Sequence, residues 1–355
     1  MSSDWRFMGL ALDLARRGLG RTAPNPAVGA VVVRDGEVIA EGWTQPPGRD
    51  HAEPHALKQL GGKAEGATMY VTLEPCCHWG RTPPCTEAIV ASGIRRVVVG
   101  TGDPFPLVAG KGLAALRADG IEVEVGLREA ECRRLNVGFI RAVTEGLPEV
   151  TLKAAVSLDG RTASAHGTSK WITGPAARDR GHRLRDTHDA VVVGVGTVIA
   201  DDPSLTTRIP GGRDAVPVVL DTRLRTPPGA RVLAAGQPPI VFSAVAGELP
   251  RGEVVRVPEG PGGLDVVEVM KVLAKRGHHR VLVEGGARVH RAVLDAGLVD
   301  RVELFVNARV LAGGPGIFAG PGFALAEAPG FRFVASELVG DDLHVTLERE
   351  CSPAS

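Results

Sequence analysis

The sequence predicts a two-domain α/β protein, and three observations lead to that prediction. The chain has 355 residues, which corresponds to two domains of roughly 150 residues each. Apolar, β-branched runs alternate with helical patterns along the chain, as they do in α/β layer sandwiches. The short segment Glu145-Gly146-Leu147-Pro148 interrupts this alternation before it restarts at Val150. We therefore expect one domain over residues 1–146 and a second over residues 147–355.

In the first domain, each predicted strand is a short β-branched run and each predicted helix is an amphipathic segment. An Asp35-Gly36 turn joins the first two strands into a hairpin. Pro54 suits the first turn of a helix, and Gly61-Gly62 suits its end. The predicted order is helix 5–17, strands 28–33 and 37–41, helix 51–59, strand 69–73, a helix from 83, strand 96–99, a helix–strand pair over 112–125 and helix 129–143.

The second domain continues the alternation, with loops rich in glycine and proline. No internal repeat relates it to the first domain. Its predicted strands are 150–156, 190–193, 216–220, 240–242, 280–283, 302–306, 331–334 and 343–347, and its predicted helices are 175–185, 265–276 and 287–296.

Charge and hydropathy argue against several classes of function. Lys plus Arg and Asp plus Glu both number 41, so the chain lacks the basic excess of a nucleic-acid-binding protein. No stretch reaches the roughly 18 uncharged apolar residues of a membrane span, and Asp4, Arg6 and Asp13 interrupt the N-terminal apolar pattern. We expect a cytoplasmic protein with no nucleic-acid or membrane partner. In that compartment the five cysteines favour metal binding or catalysis over disulfides.

One group of residues indicates zinc chemistry. His51-Ala52-Glu53 is followed by Pro75-Cys76 and then by Cys85. Zinc accepts one imidazole and two thiolates and leaves a fourth position open for water, and in zinc deaminases a glutamate so placed carries protons. Eight residues separate the two cysteines, whereas the general deaminase signature has two. The structural alternatives are a disulfide between Cys76 and Cys85 and a helix-capping role for His51.

A second group of residues indicates a nucleotide site. Gly194-Val195-Gly196 follows a predicted strand but has Ile199 where the third glycine of G-x-G-x-x-G belongs, so an ordinary Rossmann domain fits poorly. Strand 280–283 runs into Glu284-Gly285-Gly286 and a helix, which presents backbone N–H groups to an anion. An ordinary glycine turn is the alternative for either element.

The motifs around both groups resemble those of a riboflavin-biosynthesis family, the bifunctional diaminohydroxyphosphoribosylaminopyrimidine deaminase and 5-amino-6-(5-phosphoribosylamino)uracil reductase. From residue 24 to residue 286 the matching pieces are PNPAVG, HAEPHAL, YVTLEPCCHWGRTPPC, DPFPLVAGKG, TLKAAVSLDGRTA, SKWIT, VGVGTVIADDPSLTTR and VEGG. The resemblance implies a cytidine-deaminase-like α/β/α layer domain followed by a dihydrofolate-reductase-like α/β domain. It also implies a small-molecule phosphoribosylaminopyrimidine substrate, one zinc ion in the deaminase domain and NADPH, and we expect a homo-oligomer.

The resemblance also implies a role for individual residues. It makes His51, Cys76 and Cys85 the zinc ligands and Glu53 the general acid and base. The substrate contacts implied for the first domain are Asn25, His78, Arg81 and Asp103. The cofactor contacts implied for the second domain are Ala155, Trp171, Thr197, Asp201 and Gly286. The substrate contacts implied there are Ser169, Arg185, Leu205, Arg208 and Glu284.

Three of these second-domain residues suggest specific chemistry. Arg185 and Arg208 suit bidentate binding of the substrate phosphate. Lys153 is expected to polarise or orient the reacting ribose, with a structural ion pair as the alternative. The histidines without acidic or thiol partners at ligand spacing are expected to be surface or satisfied core residues; they are His182, His188, His278 and His279.

Some positions depart from the family pattern or have an ordinary explanation. Cys77 stands where the family commonly has serine, and Phe105 stands where it commonly has asparagine. Cys132 and Cys351 show no ligand spacing. For three of the implied substrate contacts an ordinary loop position is the alternative; they are Asn25, His78 and Arg81.

Two other functions are compatible with the zinc motif. One is a nucleoside or tRNA zinc deaminase with an appended nucleotide-binding domain. The other is a zinc-stabilised scaffold that has no enzymatic activity.

Overall fold

A computed structural model describes residues 2–350 of the chain. The chain divides into two compact units between Leu147 and Pro148. Among the described residues no helix combines the length and the apolar character needed to span a membrane.

The first unit is an α/β/α sandwich around a mixed sheet whose strand order, within the described residues, is β2-β1-β3-β4-β5. Alternate residues of β1 explain the layers: Val31 faces the core formed by α1, whereas Val32 faces the core formed by α2, α3 and α4. Its elements are α1 (Ser3–Arg16), β1 (Gly29–Arg34), β2 (Glu37–Trp43), α2 (Ala52–Lys58), β3 (Thr68–Val71), α3 (Cys85–Ala91), β4 (Arg96–Val99), α4 (Lys111–Ala118), β5 (Glu122–Val125), α5 (Glu129–Leu135) and α6 (Val137–Thr144).

The helix predicted over 129–143 is wrong in one respect, because it is two helices that meet at Asn136. The buried Asn136 side chain accepts a hydrogen bond from the Ala27 N–H and donates one to the Ala27 carbonyl, both at 2.9 Å. This pairing with a distant backbone segment interrupts the helix and ties α6 to the approach of β1.

The second unit is built on a longer sheet with the order β10-β9-β8-β7-β13-β6-β14-β16-β15 among the described strands. In this order, the neighbouring strands from β10 through β9, β8, β7, β13 and β6 to β14 are all parallel. Strands β16 and β15 are antiparallel to their neighbours and lie at one end of the sheet. The elements are β6 (Glu149–Ser157), α7 (Pro175–Thr187), β7 (Ala190–Gly194), α8 (Val195–Asp201), β8 (Val216–Leu220), α9 (Arg231–Ala234), β9 (Ile240–Ser243), β10 (Glu253–Arg256), β11 (Glu259–Gly260), β12 (Gly263–Leu264), α10 (Val266–Lys275), β13 (Arg280–Gly285), α11 (Ala287–Asp295), β14 (Arg301–Asn307), a 3₁₀ turn (Leu325–Glu327), β15 (Phe331–Val339) and β16 (Asp342–Arg349).

The strand order makes a crevice between β7 and β13. The chain leaves β7 through α8 toward β8 on one side, and it leaves β13 through α11 toward β14 on the other side. Ligands of open α/β sheets bind where the strand order reverses in this way, at the carboxyl ends of the strands. Both glycine segments that the sequence singled out, at 194–196 and 284–286, lie at this edge.

Candidate active sites

Three side chains of the first unit form a compact ligand set. The His51 Nδ1 atom lies 3.6 Å from the Cys76 sulfur and 3.3 Å from the Cys85 sulfur, and the two sulfurs are 3.4 Å apart. Tetrahedral zinc with bonds of about 2.0–2.3 Å separates its ligand atoms by about 3.3–3.8 Å. One imidazole and two thiols at these distances fit a zinc ion in both chemistry and spacing.

The disulfide alternative does not describe this site. A disulfide needs a sulfur–sulfur distance of about 2.05 Å, and Cys76 and Cys85 are free thiols 3.4 Å apart. Their positions follow from local structure, because Cys85 is the first residue of α3 and its N–H donates to the Cys76 sulfur at 3.4 Å. His51 precedes the first residue of α2 and makes no side-chain capping bond.

Glu53 lies beside the three ligands and is 3% exposed. Burial and the neighbouring Cys76 thiolate raise the pKa of its carboxyl to about 7. Hydrogen bonds from Cys85 and His51 lower the pKa of Cys76 to about 4, and the ionised Cys76 raises the pKa of Cys85. A carboxyl that changes protonation near neutral pH suits a group that accepts and returns a proton.

The first-unit residues beyond this cluster are only partly assembled around it. Asp103 is held through its backbone N–H, which donates to Glu74 Oε2 at 3.2 Å, and burial raises the pKa of its carboxyl to about 6. The rings of His78 and Phe105 lie 5.8 Å apart, and the buried His78 Nδ1 has no hydrogen-bond partner among the described residues. Phe105, the departure from the family asparagine, therefore contributes an aromatic face next to His78.

The remaining predicted residues of this unit make no bond to the ligand set. Asn25 is half-buried and Arg81 is exposed, and in residues 2–350 neither side chain bonds to the three ligands. Cys77 is not part of the set either, and its sulfur points to the Leu107 carbonyl at 3.7 Å. Cys132 is buried in the core under α1, and Cys351 lies outside the described residues.

The second unit holds a backbone cradle at the β7/β13 crevice. A Cβ atom at Gly194 would come within 2.9 Å of the Val289 side chain, so β7 and α11 approach closely there. Gly286 caps α11 without a side-chain hydrogen bond, and a Cβ at Gly286 would lie 3.3 Å from the Thr197 hydroxyl. The N-terminus of α11, which no side chain caps, fits the phosphates of a dinucleotide such as NADPH.

The predicted substrate contact Ser169 and the predicted cofactor contact Asp201 meet at the end of α8. The Ser169 hydroxyl lies 3.4 Å from Asp201 Oδ1. Trp171 is 60% exposed, and its ring carries the Arg178 guanidinium at 4.6 Å on one face. An exposed indole is free to stack on a ligand ring, which a core tryptophan is not. Ala155 is on β6, in register with Phe305 of β14.

Arg185, Glu284 and Lys153 form a charged triad in the second unit. Arg185 Nε and Nη2 donate to the two Glu284 carboxylate oxygens at 2.7 and 2.8 Å, and Arg185 Nη1 donates to the Thr206 carbonyl at 2.8 Å. The neighbouring strands β13 and β6 place Glu284 beside Lys153. Burial lowers the pKa of Lys153, and the negative charge of the nearby Glu284 offsets part of this shift. The guanidinium fork of Arg185, expected on a phosphate, is thus filled by a carboxylate and a carbonyl.

Arg208 has the freer guanidinium of the two predicted phosphate ligands. It is exposed, and its contacts are with the hydroxyls of Ser204 at 2.7 Å and Thr206 at 3.3 Å. Leu205 in the same loop is buried and has φ 55°, and Arg208 has φ 59°. Left-handed backbone at residues other than glycine is strained and is concentrated at functional sites.

Sequence reasoning missed one residue of this cluster, His182. It was expected to be a surface or satisfied histidine, but its buried Nδ1 has no hydrogen-bond partner among the described residues. Burial and the nearby Arg185 and Arg208 lower its pKa. The signal in the sequence was its spacing, since His182 is three residues before Arg185 and so lies on the same face of α7.

Comparison with known proteins places both units in families. Residues 148–345 match the model of the RibD C-terminal domain, and residues 1–101 match the zinc-binding region of cytidine and deoxycytidylate deaminases. A riboflavin biosynthesis protein RibD from Bacillus amyloliquefaciens is 44% identical over 353 residues, covering 96% of this chain and 95% of that protein. The chain belongs to the RibD family.

The solved structures agree with the RibD assignment. The crystal structure of a diaminohydroxyphosphoribosylaminopyrimidine deaminase/5-amino-6-(5-phosphoribosylamino)uracil reductase from Thermotoga maritima superposes with a TM-score of 0.90 at 40% identity. It covers 98% of this chain and 99% of that chain. The RibD of Escherichia coli K12 is 42% identical over 364 residues, covering 97% of this chain and 99% of that protein.

Membership of the RibD family confirms several sequence predictions. The fold class is confirmed, as is a bifunctional deaminase and reductase of riboflavin biosynthesis that uses zinc and NADPH. The nucleoside or tRNA deaminase with an appended domain is not supported, because the second unit matches the RibD C-terminal domain and not an unrelated module.

Proposed function

We propose that residues 1–146 hydrolyse the 2-amino group of 2,5-diamino-6-(5-phosphoribosylamino)pyrimidin-4-one, and that residues 147–355 reduce the ribosyl group of the resulting uracil. The observation that carries the first half is the compact His51, Cys76 and Cys85 set with buried Glu53 beside it. The glycine cradle and the charged triad of the second unit support the second half.

In the deamination, Glu53 is the proton carrier. A zinc ion held by the three ligands would acidify water and so supply a nucleophile at neutral pH. The Glu53 carboxylate takes a proton from the attacking water and returns it to the departing ammonia. We assign Asp103, His78, Arg81 and Asn25 to substrate binding, with Asp103 and His78 supported by their place beside the segment that carries Cys76.

In the reduction, side chains around the β7/β13 crevice orient the two reactants. NADPH supplies the hydride when bound. The cradle residues Thr197 and Gly286 would hold it, and the residues we assign alongside them are Asp201, Trp171 and Ala155. We assign Ser169 to the substrate. Lys153 orients the ribose oxygen that gains a proton when the sugar opens.

The phosphate assignment is divided between two arginines. Arg208, which donates a hydrogen bond to the Ser204 hydroxyl, binds the substrate phosphate. Arg185 acts through Glu284 and through the Thr206 carbonyl, so it fixes both the ribose-facing carboxylate and the loop that carries Leu205 and Arg208.

A coupled assay on the purified full chain tests this function. Without NADPH, the enzyme should release one ammonia per substrate. When NADPH is then added, one NADPH should be oxidised per molecule of intermediate, which is measured as a loss of absorbance. Zinc is measured in the same sample and should be near one ion per chain. Ammonia release from RNA or cytidine, with none from the phosphoribosyl pyrimidine, would overturn the proposal.

We further propose that the chain forms a homo-oligomer through β15. This strand is at the end of the sheet, and no other described strand pairs with its outer edge. A bulge at Val334 places Phe333 and Leu338 on one face, where they are 76% and 78% exposed. A second copy of β15, antiparallel about the point between Val334 and Ala335, would put Arg332 opposite Glu337. Within the chain Arg332 is already paired with Glu348 and Glu337 with Arg180, so the exposed apolar face of β15 is the area that a partner would cover.

Replacing Leu338 by lysine is expected to convert the oligomer to monomers, because it places a charge in the apolar face. Analytical ultracentrifugation of the full chain at micromolar concentration measures this change. Val245→Lys changes another exposed apolar residue, 44% exposed, away from β15 and should leave the oligomer intact. A monomeric wild type, or a Leu338→Lys oligomer with retained circular dichroism, would contradict the proposal.

We also propose that the enzyme works in the cytoplasm. Cys76 and Cys85 lie 3.4 Å apart as free thiols. In an oxidising compartment such a pair would close to a disulfide and lose its ability to bind zinc.

A further inference from the structure

The buried Glu74 carboxylate binds one segment of backbone at four points. Its Oε2 atom accepts hydrogen bonds from the N–H groups of Asp103 at 3.2 Å and Gly110 at 3.0 Å. Its Oε1 atom accepts from the N–H groups of Gly112 at 3.0 Å and Leu113 at 3.2 Å. Glu74 is 4% exposed, so water is not available to replace these bonds.

The segment that Glu74 holds, residues 103–113, lies against the stretch of chain that carries the zinc ligand Cys76. Glu74 precedes Pro75-Cys76, and its own N–H donates to the Thr101 carbonyl at 2.9 Å. A Cβ at Gly112 would overlap the Pro75 carbonyl oxygen, so the two backbones are in direct contact. One residue therefore links the ligand Cys76, through its main chain, to the 103–113 segment, through its side chain.

Charge explains why a carboxylate suits this position. Four N–H donors converge on two oxygens, and α4 (Lys111–Ala118) directs its positive end at the same atoms. A glutamine has one oxygen and one NH₂ group, so its amide hydrogens would face two of the four donors. That side of the segment would have to move away.

We propose that Glu74 is a positioning residue for deamination, fixing the 103–113 segment so that Asp103 meets the substrate at the His51, Cys76 and Cys85 cluster. This inference rests on the proposed function, because it takes Asp103 as a substrate contact. A shift of about 1 Å in a positioning group can cost up to about 100-fold in rate. Glu74 itself touches no reacting atom.

The test is a double-mutant cycle of E74Q with D103A in the full chain, with kcat and KM for ammonia release. E74Q is expected to lower kcat/KM by about 10- to 100-fold, with zinc content and NADPH-dependent reduction unchanged. If Glu74 acts through Asp103, E74Q should cost less than about threefold in the D103A background, since coupled positions are not additive. D4N is the matched control, because Asp4 also accepts hydrogen bonds, from Tyr70 and Arg96, away from the site.

The outcomes separate this inference from the function on which it rests. A wild type that releases no ammonia from the pyrimidine overturns the proposed function itself. With an active wild type, kcat/KM within twofold for E74Q, or E74Q and D103A effects that multiply independently, overturns the positioning role. Loss of zinc in proportion to activity in E74Q also overturns it, because Glu74 would then act on the metal site.

Discussion

Replacing Glu53 by glutamine is expected to lower kcat for deamination by roughly 10²–10⁴-fold, the usual contribution of general acid–base catalysis. Glutamine keeps the volume of the buried side chain but can neither take a proton from water nor give one to ammonia. Glu53 is not among the three ligands, so zinc content should stay the same. Ammonia release and zinc content, measured on one preparation, check both statements.

The reductase half of the same chain is an internal control for Glu53→Gln. Its rate with the deaminated intermediate and NADPH should equal that of the wild type. Glu129→Gln, an exposed carboxylate in the first turn of α5, is the matched control for deamination and should be silent. A Glu53→Gln variant within tenfold of wild-type kcat would show that another group carries the proton.

The cluster of His51, Cys76 and Cys85 was predictable because its signal is local. His51 and Glu53 are two residues apart, and Cys76 and Cys85 follow a strand and begin a helix, so the chemistry is visible in short segments. The layer architecture was predictable for a similar reason, because each β-branched run and each amphipathic helix can be recognised within about ten residues of sequence.

The parts that sequence reasoning missed depend on partners far along the chain. The Asn136 side chain that splits α5 from α6 bonds to Ala27, 109 residues away. Glu74 lies 29 residues from Asp103, and nothing between them marks the four N–H groups that converge on its carboxylate. Periodicity and spacing carry no information about such pairs, which only the folded sheet brings together.

Arg185 shows how the same limit affects an assigned role. The sequence assigned Arg185 to a phosphate. Because the arginine guanidinium binds phosphate and carboxylate with the same bidentate geometry, the residue type does not distinguish the two anions. Its carboxylate partner, Glu284, is 99 residues away on β13. The fold therefore decides which anion fills the fork, and that choice makes the ion pair a structural support of the reductase site.

Replacing Glu284 by glutamine is accordingly expected to destabilise the second unit by about 3–5 kcal/mol at pH 7, the usual cost of removing one partner of a buried ion pair. The Arg185 and Glu284 side chains are 13% and 10% exposed, so the guanidinium would lose its countercharge without gaining water. Reduction should be lost as well, with ammonia release retained. Hydrogen exchange of β13 peptides across a guanidinium series measures the free energy of unfolding of this unit.

Two further variants separate the buried charge from a general loss of packing. Glu253→Gln breaks an exposed pair with Arg276 in the same unit and should cost no more than about 1 kcal/mol. Replacing both partners, Arg185→Met with Glu284→Leu, should recover part of the stability that Glu284→Gln loses, because the Arg185 guanidinium is then no longer buried without its countercharge. Equal losses in Glu284→Gln and the double variant would contradict the charge argument.

The pH dependence of the same variant is a second check. Burial raises the pKa of Glu284, but the nearby Arg185 and Lys153 outweigh it and hold the pKa at about 2, below the ordinary 4.5. A carboxyl with a lowered pKa contributes its full stability above the pKa of the unfolded chain and loses it as the pH falls toward the folded value. The stability difference between wild type and Glu284→Gln should thus be constant above about pH 5 and shrink between about pH 4.5 and pH 2. A difference that stays constant down to pH 2 would mean that the Glu284 charge does not stabilise the fold.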